Sequence, residues 1–213
     1  MNGLSKLTKS KISKKFVYLI SPNKIKSNNF YKQLDQILKL KKVAFFQLRM
    51  KKESNKNKLV IGKKIKKICK KYNVNFLIND DPILAKKLNA DGCHLGQKDM
   101  KINEARKILK NKIIGITCHN SIKLAKIAIK NKADYLAFGA FHASKTKKVR
   151  FIAKIKTLHS IKKLSKIPTV AIGGINSNNY KKLLLNNANF LAISGYIWNN
   201  KKYKPSEAIK KIK

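Results

Sequence analysis

The chain predicts a single α/β domain folded as a (βα)8 TIM barrel, and three observations carry that expectation. Short apolar runs rich in β-branched and aromatic residues alternate with longer lysine-rich amphipathic stretches, the pattern of repeated βα units around a parallel sheet. The runs number eight, which favours a closed barrel over an open doubly wound sheet, for which about six is more usual. The 213 residues suffice for one domain with a real core, and no Gly/Ser-rich linker or composition shift divides them.

The domain is assigned to residues 1–213, with a basic N-terminal segment over 1–15 and the barrel over about 16–213. The first apolar run, Phe16–Ile20, stops at Ser21-Pro22, too soon for a signal peptide or a membrane span. As a strand it opens the barrel. The others follow at Ala44–Arg49, Asn75–Ile78, Gly92–His94, Ile113–Thr117, Tyr135–Gly139, Pro168–Ile172 and Phe190–Ser194. Helices are expected between them, among them Ser54–Tyr72, Ser121–Asn131 and Ser177–Asn187.

The net charge of +42 would ordinarily point to nucleic acid. Only three of the 51 basic residues are arginine, however (Arg49, Arg106, Arg150), and the lysines are spread over nearly every segment. Lysine lacks the planar fork that reads bases, so no specific nucleic-acid partner is expected. The diffuse positive field should instead draw in anionic small molecules. Cys69, Cys93 and Cys118 form no C-x-x-C pair, which suits a reducing cytoplasm and argues against zinc or disulfides. Neither a membrane partner nor a particular oligomeric state is indicated, and a homo-oligomer is left open.

In a barrel, chemistry belongs where strands give way to their loops. The second strand ends Gln47-Leu48-Arg49-Met50-Lys51, and alternation sends Gln47, Arg49 and Lys51 to one side, suited to phosphate oxygens. The third ends Asn79-Asp80-Asp81, and Asp99 follows the fourth. With only nine acidic residues in the chain, Asp80 and Asp99 are a candidate pair for Mg²⁺, which takes one or two carboxylates and fills its shell with water and phosphate oxygens. Asp81, just before Pro82, reads as a helix cap.

Thr117 supplies a hydroxyl at the fifth strand's end. After the sixth, Gly139 to Lys147 forms a loop of small and hydroxylated residues, with Ser144, Lys145, Thr146 and Lys147 able to surround a phosphate. Gly173-Gly174 and Ser194-Gly195 close the seventh and eighth strands, where many barrels bind phosphate on backbone amides. His94, His119 and His142 are not at metal-ligand spacing. Cys118, Phe151 and Trp198 read as packing residues.

Taken together, Gln47-Leu48-Arg49-Met50-Lys51, Asn79-Asp80, Ala90 to Asp99, Ala133-Asp134-Tyr135, Phe138-Gly139, Thr146-Lys147 and Ala171 to Ile175 resemble the thiamine-phosphate synthase family over about residues 16–198. The resemblance implies condensation of a hydroxymethylpyrimidine diphosphate with a thiazole phosphate to give thiamine phosphate and pyrophosphate. It implies a pyrimidine-diphosphate site of Gln47, Leu48, Arg49, Met50, Lys51, Asn79, Thr117 and Lys147, with Lys147, Arg49 and Lys51 as its catalytic cations. Mg²⁺ would lie on Asp80 and Asp99. Ser144, Lys145, Thr146, Gly174, Ile193 and Ser194 would hold the thiazole phosphate.

The mechanism so implied begins with loss of pyrophosphate to leave a pyrimidine carbocation, which the thiazole nitrogen captures. Thr117 stands where the family usually has serine, and Ala140 and Ala143 where it often has proline. The alternatives are a thiazole tautomerase on the same barrel, which would not need the cations and carboxylates, and a non-catalytic lysine-rich barrel that binds polyanions.

Overall fold

The computed structural model of the chain describes residues 15–25, 27–143 and 151–213. Eight parallel strands close into a barrel in sequence order: β1 (Val17–Ile20), β2 (Val43–Leu48), β3 (Asn75–Asn79), β4 (Gly92–Leu95), β5 (Ile113–His119), β6 (Tyr135–Gly139), β7 (Thr169–Ile172) and β8 (Phe190–Ile193), which pairs back onto β1. Each expected strand is present, its ends displaced by at most two residues. The segment over 1–15 lies almost wholly outside the described residues.

The helices are α1 (Asn29–Lys39), α2 (Asn55–Lys71), α3 (Pro82–Lys87), α4 (Ile102–Leu109), α5 (Ile122–Lys130), α6 (Ile155–Leu164), α7 (Tyr180–Leu185), α8 (Gly195–Trp198) and α9 (Pro205–Lys210). Local chemistry explains several starts. Ser54 caps α2 by accepting from the Asn57 N–H, Ser121 caps α5 from Leu124, and Asp81 caps α3 from Leu84 at 2.8 Å, with Pro82 in the first turn. The helix expected over Ser177–Asn187 is shorter because asparagine side chains hold the backbone otherwise. Asn179 Oδ1 accepts from Asn176 N–H and Asn176 Oδ1 from Asn178 N–H, which competes with helical pairing until Tyr180. No helix among the described residues is long and apolar enough to cross a membrane.

Strand alternation splits the apolar residues into two cores. Val17, Leu19, Phe46, Leu48, Ile78, Cys93, Leu95, Cys118 and Phe138 face outward and pack beneath the helices. Tyr18, Phe45, Leu77, Tyr135, Val170 and Phe190 fill the barrel itself, with Phe45 edge-on to Phe190 at 5.0 Å between ring centres. Gly115 makes room for this filling. A Cβ there would sit 1.8 Å from the Tyr135 ring.

The end of the barrel where the strands begin is closed by a repeated turn. Asn89, Lys132 and Asn187 take positive φ at 46°, 61° and 70°, each is followed by a buried alanine (Ala90, Ala133, Ala188), and the next side chain bonds the neighbouring strand. Asp91 accepts from Phe76 N–H at 2.7 Å, Asp134 from Ile114 at 2.8 Å and Asn189 from Thr169 at 2.9 Å. Arg106 reinforces one of these turns, donating to Asp134 Oδ2 and to the carbonyls of Lys110, Lys112 and Lys132, all within 2.6–2.9 Å. Several lysines also donate to backbone carbonyls, as Lys42 does to Ile212 and Lys112 to Ala90.

Candidate active site

At the opposite end, the strand termini bring the expected polar residues into one neighbourhood. Period-two alternation turns Gln47 and then Arg49 inward, while Leu48 and Met50 go to the outer core. The backbone of Arg49 is tied to β1, its N–H donating to Ser21 Oγ at 2.9 Å, and its guanidinium lies 3.4 Å from Asn23 Oδ1. On the far side of β1, Ser194 Oγ donates to Ser21 O, and Trp198 Nε1 to Ile20 O at 2.7 Å. Ile193 is buried in the outer core, so what it offers the rim is backbone.

The acidic residues meet where the β3 and β4 loops approach each other. Asp80 takes a positive φ of 65° and donates its N–H to His94 O at 2.8 Å. Its carboxylate is 2.7 Å from Lys51 Nζ and interacts with the Asp99 carboxyl. Asp99 is held in place by the Gly96 N–H at 2.7 Å. Burial works against the charged form of Asp80, yet Lys51 and the interaction with Asp99 outweigh it and hold its pKa below the ordinary value. Burial, and then Asp80, push Asp99 the other way. A cavity of about 160 Å³ opens beside this pair, lined by Leu48, Met50 and Ile78 on its apolar side and by Lys51, Lys58 and Asn79 on its polar side. Leu48 and Met50 therefore line the outer side of the strand ends, not the barrel's interior.

Two hard carboxylates from neighbouring loops fit a divalent cation such as Mg²⁺, which would favour the charged form of both. Among the described residues no third His, Cys, Asp or Glu completes a cluster, so the remaining positions of such an ion belong to water and substrate oxygens.

Beneath the rim runs a file of hydrogen-bonded polar groups that the sequence reading did not single out. Gln47 Nε2 donates to Tyr18 Oη at 2.7 Å, Tyr18 Oη meets Tyr135 Oη at 2.7 Å, Tyr135 Oη meets His94 Nδ1 at 2.9 Å, and His94 Nε2 meets Thr117 Oγ1 at 2.8 Å. The Thr117 carbonyl accepts from Gln97 Nε2. Burial lowers the His94 pKa to about 4, Asp80 opposing and Arg49 and Lys51 adding to the effect, so the imidazole is neutral near pH 7. The signal for this file was present: Tyr18, Gln47 and Tyr135 occupy inward positions of otherwise apolar strands.

On the other flank, Phe141 and His142 donate their N–H groups to Ile172 O and Gly173 O, laying the start of the β6 loop along the end of β7. Gly174, at φ +60°, lies under it, where a Cβ would come within 2.2 Å of Ala143 O. The Ala140 N–H donates to Phe151 O and the Ala153 N–H to Ala140 O, so the loop's two ends are fastened together. Ser144, Lys145, Thr146 and Lys147 lie outside the described residues. Phe151 is not the core residue the sequence suggests. It is half-exposed and lies tilted against the His119 ring at 4.2 Å between ring centres. Trp198 does pack, against Phe30, and Cys118 is fully buried.

Comparison with known proteins places this rim in context. The family model described as thiamine monophosphate synthase matches residues 17–197. A thiamine-phosphate synthase of Pelagibacter ubique is 72% identical over 207 residues, 97% of this chain and 100% of that protein. One from Clostridium tetani is 40% identical over 179 residues, 83% and 85% of the two chains. Among solved structures, the thiamine phosphate pyrophosphorylase of Pyrococcus furiosus superposes with a TM-score of 0.82 at 28% identity, covering 95% of this chain and 96% of that one.

Proposed function

The chain belongs to the thiamine monophosphate synthase family, and we propose on that premise how its rim joins a pyrimidine diphosphate to a thiazole phosphate with release of pyrophosphate. The enzyme is a transferase with small phosphorylated substrates. The observation that carries the residue roles is the contact between Lys51, Asp80 and Asp99, with Asn79 and Arg49 on the adjoining strand ends. It is a cation, two acids and neutral donors gathered where negative charge would leave a substrate.

In this reading Gln47 and Asn79 orient the pyrimidine, and Arg49, Lys51, Thr117 and Lys147 bind its diphosphate. Asp80 and Asp99 hold Mg²⁺, which when bound neutralises charge on the departing pyrophosphate. Arg49 and Lys51 donate to oxygens whose charge grows as the carbon–oxygen bond breaks, so they stabilise the transition state more than the ground state. The filled barrel interior beneath, its polar groups bonded to one another, keeps water from the carbocation until the thiazole nitrogen captures it. Ser144, Lys145, Thr146, Gly174, Ile193 and Ser194 hold the thiazole phosphate, largely through backbone N–H groups and hydroxyls. No protein nucleophile is required. Burial pushes Cys69 and Cys118 up, the latter to about 12, and all three thiols are sequestered, which suits the cytoplasm.

The deciding experiment supplies both substrates to the purified protein and measures pyrophosphate with and without EDTA. Stoichiometric pyrophosphate and thiamine phosphate that vanish with EDTA are expected. Isomerisation of the thiazole phosphate with no pyrophosphate would overturn the reading in favour of a tautomerase.

A further inference from the structure

The file from Gln47 to Thr117 has a direction, and the direction has a chemical consequence at its open end. An amide nitrogen can only donate, so the Tyr18 oxygen receives a proton from Gln47 Nε2. The Tyr18 oxygen could accept a second bond, but its own proton would then be buried with no acceptor, so it points to Tyr135, 2.7 Å away, and that of Tyr135 to His94 Nδ1 at 2.9 Å. With Nδ1 accepting, the single ring proton of the neutral imidazole sits on Nε2 and points at Thr117 Oγ1, 2.8 Å away. Thr117 thus accepts from below, and its own hydroxyl proton is left to point up to the rim. Were the file reversed, Thr117 would spend that proton on His94.

We propose that Tyr18 and Tyr135 are positioning residues: two hydroxyls that touch no reacting atom but fix the tautomer of His94 and so make the Thr117 hydroxyl a donor to the departing pyrophosphate. Both tyrosines are almost completely buried. Tyr135 is further held by the space left at Gly115 and by its stack on the His94 ring, 5.6 Å between centres. A buried file of this kind is worth more as a unit than as separate pairs, because each bond polarises the next. Its members should therefore lose function together.

The inference rests on the reading of Thr117 as a diphosphate ligand, and the test separates the two. In ¹⁵N-labelled full-length protein, the side-chain nitrogens of His94, assigned by their loss in His94→Gln, should report a single Nε2–H tautomer. In Tyr18→Phe the file is cut, and both tautomers should become populated. The kcat of that variant should fall about tenfold with KM changed by less than about twofold, since the donor strengthens only as charge develops. Tyr18→Phe with Tyr135→Phe should lower kcat little further than either alone. The wild-type spectrum decides the direction even if a variant folds poorly. An Nδ1–H tautomer in the wild type, or a Tyr18→Phe variant with unchanged tautomer and unchanged kcat, would overturn the file's role. The expected spectrum together with wild-type rates in Thr117→Val would overturn instead the delivery of that hydroxyl to the diphosphate.

Discussion

Asp80 and Asp99, two acids from successive loops, act on one another's charge in a chain with a formal charge of +42. Among the described residues, Lys51 forms its ion pair with Asp80, at 2.7 Å. The asymmetry leaves Asp80 the more acidic of the two and Asp99 the one that keeps a proton longer. Asp80→Asn and Asp99→Ala should each lower turnover at least about a hundredfold, the usual effect of losing one element that stabilises developing charge. Their circular dichroism should match the wild type. Unchanged turnover in either variant would remove that residue from the metal site.

At the other end of the barrel, Asp134 is nearly inaccessible and is bonded both to Arg106 and to the Ile114 N–H. Asp134→Ala strands the guanidinium and the amide together, so it should cost about 3 kcal/mol of stability. Denaturant unfolding of the variant measures this. Its kcat at a temperature where it is folded should stay near the wild-type value, because the bonds of this pair lie at the end of the barrel where the strands begin.

Gly115→Ala is the opposite kind of lesion. Its methyl would fall on the Tyr135 ring, and overpacking at such a site costs about 2 kcal/mol. Displacing the ring should also disturb its hydroxyl bonds to Tyr18 and His94. A melting curve and a kcat measurement should therefore both fall, whereas a fall in stability alone would mean that the ring can yield without moving its oxygen.

Acid should weaken the fold through His94. Its native pKa of about 4 lies below the ordinary 6.5, so between those values the unfolded chain binds a proton that the native chain does not. Stability from this residue is therefore complete above about pH 6.5 and is lost as pH falls toward 4. The contribution is on the order of 2 kcal/mol, allowing for the solvent that reaches the ring's edge. Unfolding curves of wild type and His94→Asn from neutral pH to about 4.5 measure it. A variant with the same pH slope as the wild type would show that other groups set the acid limit.

How legible this was in the sequence differs between fold and site. The strands were readable because each is a short apolar run bounded by polar residues, and Asp81-Pro82 marked a helix start that the structure bears out. Alternation sends Gln47 and Arg49 inward, and Asp80 and Asp99 meet, because strand ends impose a geometry that residue types disclose. The buried file was legible only as inward polar positions, not as a set of bonds. Tyr18 and Tyr135 look like packing aromatics, and only the closed barrel brings β1, β2, β4, β5 and β6 side chains within bonding distance of one another. His94 is not at metal-ligand spacing, and spacing along the chain says nothing of a partner across the lumen. The shortening of α7 is not legible because runs of asparagine satisfy their own backbone in ways that periodicity does not register.

The repeated turns beneath the barrel, each closed by its own Asp or Asn, work like separate rivets along the staves of a cask. Loosening one frees a single seam and leaves the mouth of the vessel in register. Sequence drift, including the heavy enrichment in lysine, can therefore accumulate on the outer helices while the geometry that holds the substrates is inherited intact.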